Sequence, residues 1–414
     1  MATTLADGTG ADGTGPRAVD ARSAGATAPG RLTLFALLAS ATLTVMAGAT
    51  IAPSLPGLVA HFADDPRAEW LVPFILTAPG LAIAVAAPLS GVVVDRSVKR
   101  NVLLAGIALY IAAGTSGLYL DSLDAILVGR LFLGLAVGAV MTASMALIAD
   151  VYEGEARQRV LGWQAASMGI GGILFIGFGG LLGQLDWRGP FAVYLAPIVL
   201  VPIILRAVPA IPPRPRGSSA APAEAFPWAH VLPIYLLAAA SMLTFYVIPT
   251  LIPFVVAELV GIERAAGFTG LTVAAAMIAS SAASTQVARV RRRLSPPAVA
   301  AISFATVAVG YLFVSTGLTL PLLTLALAVI GAGLGLLMPT NNAWLLSRIP
   351  DAMRGRASGG MTMSIFLAQF SSAFVGGALV DWGGLNFVYL AMGLFAAALA
   401  VLMTLVARRM SASR

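Results

Sequence analysis

The chain has 414 residues, 59% hydrophobic and 10% charged, with a mean hydropathy of +0.91. A soluble globular chain carries about 25% charged residues, so this composition describes a protein whose surface meets lipid. The formal net charge of +7 points to anionic inner-leaflet lipid rather than nucleic acid as a partner, and the absence of cysteine excludes disulfides, thiol chemistry and cysteine-ligated metals.

Residues 1–29 are rich in Ala, Gly, Thr and Asp and cannot bury enough apolar surface to fold, so a disordered cytoplasmic tail is expected there. They lack the early apolar core and cleavage site of a signal peptide. Apolar segments follow at 31–58, 70–94, 101–120, 125–149, 159–184, 190–208, 230–257, 265–288, 297–316, 319–346, 357–380 and 386–407. A hydrocarbon core about 30 Å thick needs about 20 apolar residues in a helix. Runs such as ILVGRLFLGLAVGAVMTASMALIA show none of the alternation of a membrane β-barrel. The expected fold class is therefore an all-α integral membrane protein with twelve transmembrane helices.

Between the sixth and seventh segments, residues 209–228 are rich in Pro, Ser and Ala and read as a cytoplasmic linker. The expected organisation is an N-terminal six-helix bundle over 30–208, a C-terminal one over 229–408, and a short cytoplasmic tail at 409–414. All but four of the 25 Lys and Arg fall on one side if the N-terminus is inside: Arg67, Arg188 and Arg264 go to the other side and Arg130 lies within a helix. The positive-inside rule then puts both termini in the cytoplasm and the chain in the cytoplasmic membrane. His61 and His230 stand near predicted helix ends and take no role.

The two halves repeat. Arg157, Arg159 and Gly162 match Arg354, Arg356 and Gly359 at an offset of 197, Pro53 matches Pro249 at 196, and the loop DRSVKR matches ARVRRR at 193. FGGLLGQLDW likewise matches VGGALVDW.

Residues 91–100 read GVVVDRSVKR, in the loop between the second and third segments. With twelve helices in two sixes and a central linker, this motif makes residues 31–408 resemble the major facilitator superfamily, most closely its 12-helix exporters of drugs or metabolites. The resemblance implies that Gly91, Asp95, Arg96, Lys99 and Arg100, with Asp150 and Arg157, latch the cytoplasmic side when the carrier faces outward. Gly91 is then expected to permit close helix packing. The alternative is a solvated basic loop that serves topology alone, and Val98 stands where the family usually has Gly. In the fourth segment Arg130, Gly134 and Gly138 fit a family motif whose arginine is tied to proton movement, although Leu133 replaces its frequent Gln. A charge at that depth costs about 2–3 kcal/mol or more unless it snorkels to the outer headgroups or finds an acceptor. In the fifth segment Phe175 and Ile176 replace the exporters' Gly-Pro.

Gly331, Gly333 and Gly335 resemble part of a nucleotide-binding fingerprint, but no strand precedes them, so close helix packing accounts for them better. For a cavity at the midplane between the halves, the candidates are Met141, Met145, Gln164, Tyr246, Asn341, Asn342 and Gln369. Adjacent amides at Asn341 and Asn342 are costly at depth unless satisfied. No carboxylate lies in the central third of any predicted helix, which favours neutral, amphipathic or anionic substrates. No catalytic triad, metal set, phosphate loop or cofactor site is present, and a membrane enzyme would need paired catalytic residues that the segments lack. The expectation is a monomeric secondary transporter, not an enzyme, using alternating access for proton-coupled export of a small molecule; an uptake symporter or a facilitator is the alternative.

Overall fold

The computed structural model describes residues 30–212, 226–350 and 353–412. The expected tail over 1–29 and most of the expected linker lie outside the described residues, as do Arg17, Arg22, Arg214, Arg216 and Arg414.

Ten spans run in chain order as α1 Arg31–His61, α2 Ala68–Arg96, α3 Lys99–Gly114, α4 Leu123–Val151 and α5 Gly154–Leu185, then α6 Gly189–Ala207, α7 Trp228–Val260, α8 Ile262–Thr285, α9 Pro296–Val314 and α10 Leu320–Leu346. A last helix, Arg354–Ala412, breaks at Gly384, whose φ of 76° is open to glycine and costly for other residues. The break makes α11 of 354–383 and α12 of 385–412, and the described residues then form twelve spanning helices. The chain is an all-α membrane protein, as its composition requires.

Two helices are interrupted where proline removes a backbone donor. In α1 a 3₁₀ turn at Ala52–Ser54 contains Pro53, and Pro56 opens the short helix after it. In α6 the 3₁₀ stretch Val193–Val199 contains Pro197. Helix ends reach past the segments read from sequence. Lys99 and Arg100 form the first turn of α3, Arg157 lies in the first turn of α5, and α12 continues through Arg408 and Arg409. The polar residues that looked like loop are helical because only Ser97 and Val98 are needed to reverse the chain between α2 and α3.

Each half has its own buried core. The first gathers Leu37, Tyr110, Val137 and Tyr194, and the second Val247, Phe304, Tyr311 and Tyr389. Their internal geometry repeats. Tyr110 on α3 donates to the Leu43 carbonyl on α1 at 2.9 Å, while Tyr311 on α9 donates to the Thr244 carbonyl on α7. Gly134 on α4 lies against the Pro79 carbonyl on α2, and Gly331 on α10 lies against the Ala276 carbonyl on α8, both pairs offset by 197. Small residues let these backbones touch, which is how helices associate where lipid offers no hydrophobic drive.

The bundles meet along three seams. On α1 and α7, a Cβ at Gly48 would lie 2.7 Å from Tyr246 Oη. On α2 and α11, Gly80 faces the Phe366 carbonyl and Gln369, Phe74 packs on Phe370 and Phe374, and Gly377 faces Trp70. On α5 and α8, Gly180 faces the Ala266 carbonyl and Gly270. These contacts run from the middle of the molecule to the end away from the basic loops, and close it there. Toward the basic end a Cβ at Gly91, Gly162, Gly355 or Gly359 would meet nothing within 4 Å.

Candidate functional site

A roof over the basic end is made where four helices approach at mid-depth. Tyr246 from α7 sets its hydroxyl against Gly48 of α1 and interacts with the Gln369 side chain of α11. Gln369 is buried and presses on Gly80 of α2. Two of the sequence candidates, Tyr246 and Gln369, are thus brought together across the boundary between bundles. Any glycine-to-larger change at 48 or 80 would collide with this pair.

The other candidates separate. Gln164 on α5 is buried, Met141 on α4 is half-buried against the first core, and Met145 one turn on is exposed. Asn341 is wholly buried inside the second bundle, where its Nδ2 donates to Ser241 Oγ at 3.3 Å and its Oδ1 has no partner among the described residues. Asn342 is exposed, two turns below Gly335 on the face that α8 covers at Gly335. Adjacent residues on a helix point about 100° apart, so one amide braces α10 to α7 and the other is uncovered. The hydroxyls of Thr142, Thr244 and Thr250 are spent on backbone carbonyls one turn back.

Arg130 does not snorkel. It is fully buried in α4, with its guanidinium 4.8 Å from the ring centres of both Phe191 and Tyr194, which the broken helix α6 carries. Tyr194 Oη donates to the Ala47 carbonyl of α1 at 2.9 Å, so the cage that holds Arg130 also grips α1 just before its bend. None of the three guanidinium nitrogens has a hydrogen-bond acceptor at ordinary geometry among the described residues. Cation–π contacts of this kind strengthen when desolvated. The repeat sharpens the point. At the offset of Gly134 and Gly331, the counterpart of Arg130 is Leu327, also fully buried, so the fold itself packs an apolar side chain there.

Of the basic-end cluster, Lys99 pairs with Asp150, joining the start of α3 to the end of α4 within one bundle. Arg100 is partly buried with its Nε unpartnered, while Arg96 and Arg157 are exposed. The close packing expected of Gly91 is not found, because a Cβ there would meet open space. At the opposite end Arg67 pairs with Asp65 and Asp124, tying the loop after α1 to the start of α4. Its hydrogen bonds hold the Asp65 carboxyl below the usual range.

Sequence reasoning missed Phe191, Tyr194 and Tyr110. The only signal was their aromatic character opposite a helix that carries a lone charge.

The family model described as Major Facilitator Superfamily matches residues 37–373 and again 234–414. The chain is 31% identical over 163 residues to the Tetracycline resistance protein, class C, of Escherichia coli. That match takes in 38% of this chain and 40% of the relative, so the chain spans less than half the length of that protein. A solved peptide transporter POT is similar with a TM-score of 0.73 at 12% identity, covering 91% of this chain and 94% of that one. A D-xylose-proton symporter is similar with a TM-score of 0.65 at 17% identity, covering 89% and 97%.

Proposed function

Because this chain belongs to the Major Facilitator Superfamily, whose members are transporters, we propose that it exports a small amphipathic drug or metabolite across the cytoplasmic membrane, exchanging it for protons by alternating access. The observation that carries this reading is Arg130, a cation buried beside the bend of α1 at a position where the other bundle places Leu327. A buried charge that packing does not require is a functional residue by default. The partial likeness to a tetracycline resistance protein supports the export direction.

In this reading substrate enters from the basic end and meets Tyr246 and Gln369 at the roof. No carboxylate stands there, so neutral, amphipathic or anionic molecules fit better than permanent cations. When the bundles rock, the roof seams part and the basic ends meet. The cluster of Asp95, Arg96, Lys99 and Arg100 then latches, with Asp150 exchanging partners. That exchange of carboxylate partners between the two conformations gives the proton its route.

The test uses inverted membrane vesicles with tetracycline and a panel of neutral amphipathic dyes. Export by proton exchange predicts accumulation in the lumen when the lumen is acid, and its loss in Asp150→Asn and Asp95→Asn. Flux that ignores the pH gradient identifies a facilitator. Loss of preloaded solute from an acid lumen, with uptake failing, identifies a symporter working inward.

A further inference from the structure

At the closed end a cavity of about 600 Å³ lies directly on the seam, within the range of about 300–1,000 Å³ that small-molecule sites occupy. Both bundles build it. The tip of α1 and the start of α2 form one wall, and the ends of α7 and α11 with the start of α8 form the other. Its floor is apolar and aromatic, with Trp70 on Gly377 and with Leu251, Phe254 and Leu385 around them. Its rim carries three carboxylates, Glu69, Glu258 and Asp381, one from each of α2, α7 and α11, and no Lys or Arg lines it.

The surrounding charge has the same sign. Arg67 is taken up by Asp65 and Asp124, and Arg188 by Asp121, so neither neutralises the rim. Arg264 stands two residues beyond the lining residue Ile262 without lining the cavity itself. Trp70 is 40% exposed, and tryptophan is the strongest aromatic partner for a cation.

We propose that this cavity is a second binding site, separate from the mid-depth pair Tyr246 and Gln369, for a lipophilic organic cation with an apolar body. Such a cation lays its body on Trp70, Phe254 and Leu385 and its charge among Glu69, Glu258 and Asp381. Because the walls come from opposite bundles, the bound cation bridges the seam and favours the conformation in which this end is shut. The proposal stands whatever the transported substrate is.

Two probes of the same shape and opposite charge test it: tetraphenylphosphonium and tetraphenylborate. The chain has no cysteine, so Ala60→Cys, at an exposed position on the cavity wall, gives a single label. In the purified full-length protein, tetraphenylphosphonium is expected to slow maleimide labelling of that thiol, and tetraphenylborate is not. Glu258→Gln and Asp381→Asn should each raise the half-protecting concentration by about fivefold, as loss of one attractive charge near the surface implies. Both variants replace exposed carboxylates by their amides, and an unprotected labelling rate equal to the parent's shows that the cavity wall is intact. Absence of protection, equal protection by both probes, or protection unmoved in the double variant overturns the proposal. Drug flux in vesicles is not read at any point, so failure here is distinguishable from failure of the export reading.

Discussion

Arg130 is the residue at which sequence and structure diverge most usefully. The charge was legible in the sequence because it interrupts an apolar run, but its surroundings were not. Phe191 and Tyr194 lie about sixty residues further on and reach the guanidinium only because α6 starts with Pro190 and passes into a 3₁₀ stretch. Taking a charge out of water costs several kcal/mol that an apolar side chain does not incur, and Leu327 shows that leucine fits the equivalent place. Arg130→Leu is therefore expected to keep or raise the melting temperature in detergent. Its transport rate is expected to fall by about tenfold, the equivalent of one lost desolvated cation–π contact. A variant that melts early and transports normally would make Arg130 a structural residue. The Lys99–Asp150 pair behaves oppositely, since both side chains are largely covered, 16% and 11% exposed. Asp150→Asn removes the partner of a covered ammonium and should cost about 1–3 kcal/mol of stability, readable as a lower melting temperature. The reversed pair Lys99→Asp with Asp150→Lys should recover that stability.

At the scale of elements, the number of helices was written in the apolar runs and the halves in their repeats. Helix starts were less legible. Arg157 fell outside the fifth segment on polarity alone, yet a positive-φ Gly154 lets the chain turn into α5 before it. Asn341 and Asn342 looked equivalent in sequence, and only helix geometry separates the one that bonds Ser241 from the one left exposed. The glycine run of α10 was correctly a packing device, for Gly331 rests on the Ala276 carbonyl and Gly335 on the Ser280 carbonyl. Backbone cannot move aside as a side chain can, so Gly331→Ala should destabilise the protein by about 1–3 kcal/mol. Gly359 is the control, being helical with open space where a Cβ would go. Gly359→Ala should be neutral or stabilising by about 0.5–1 kcal/mol, from backbone entropy alone. Thermal unfolding of the two variants side by side checks the contrast. Equal effects would mean that the α8–α10 contact is looser than its geometry.

For the whole molecule, the sequence identified two bundles but not which end is shut, because the closing contacts are made by glycines and small apolar residues that differ little from those inside a bundle. Gly180 is such a residue. A Cβ there would stand 2.7 Å from the Ala266 carbonyl and 3.2 Å from Gly270 Cα across the α5–α8 seam. Gly180→Leu cannot be accommodated with that seam closed, yet it faces no obstacle once the bundles separate at this end. A penalty of about 3 kcal/mol on one of two conformations shifts their ratio by about 100-fold. If the bundles move as rigid bodies, the effect must appear on a different seam as well. Ala373 on α11 supplies the reporter, since it is 2% exposed beside the α2–α11 seam and far along the chain from the substitution. A single cysteine at Ala373 should therefore react slowly with a maleimide in the parent and rapidly in the Gly180→Leu background. Faster reaction confined to a cysteine placed in α8, with Ala373→Cys unchanged, would mean that the α5–α8 seam loosens locally and that the two bundles do not rock as units.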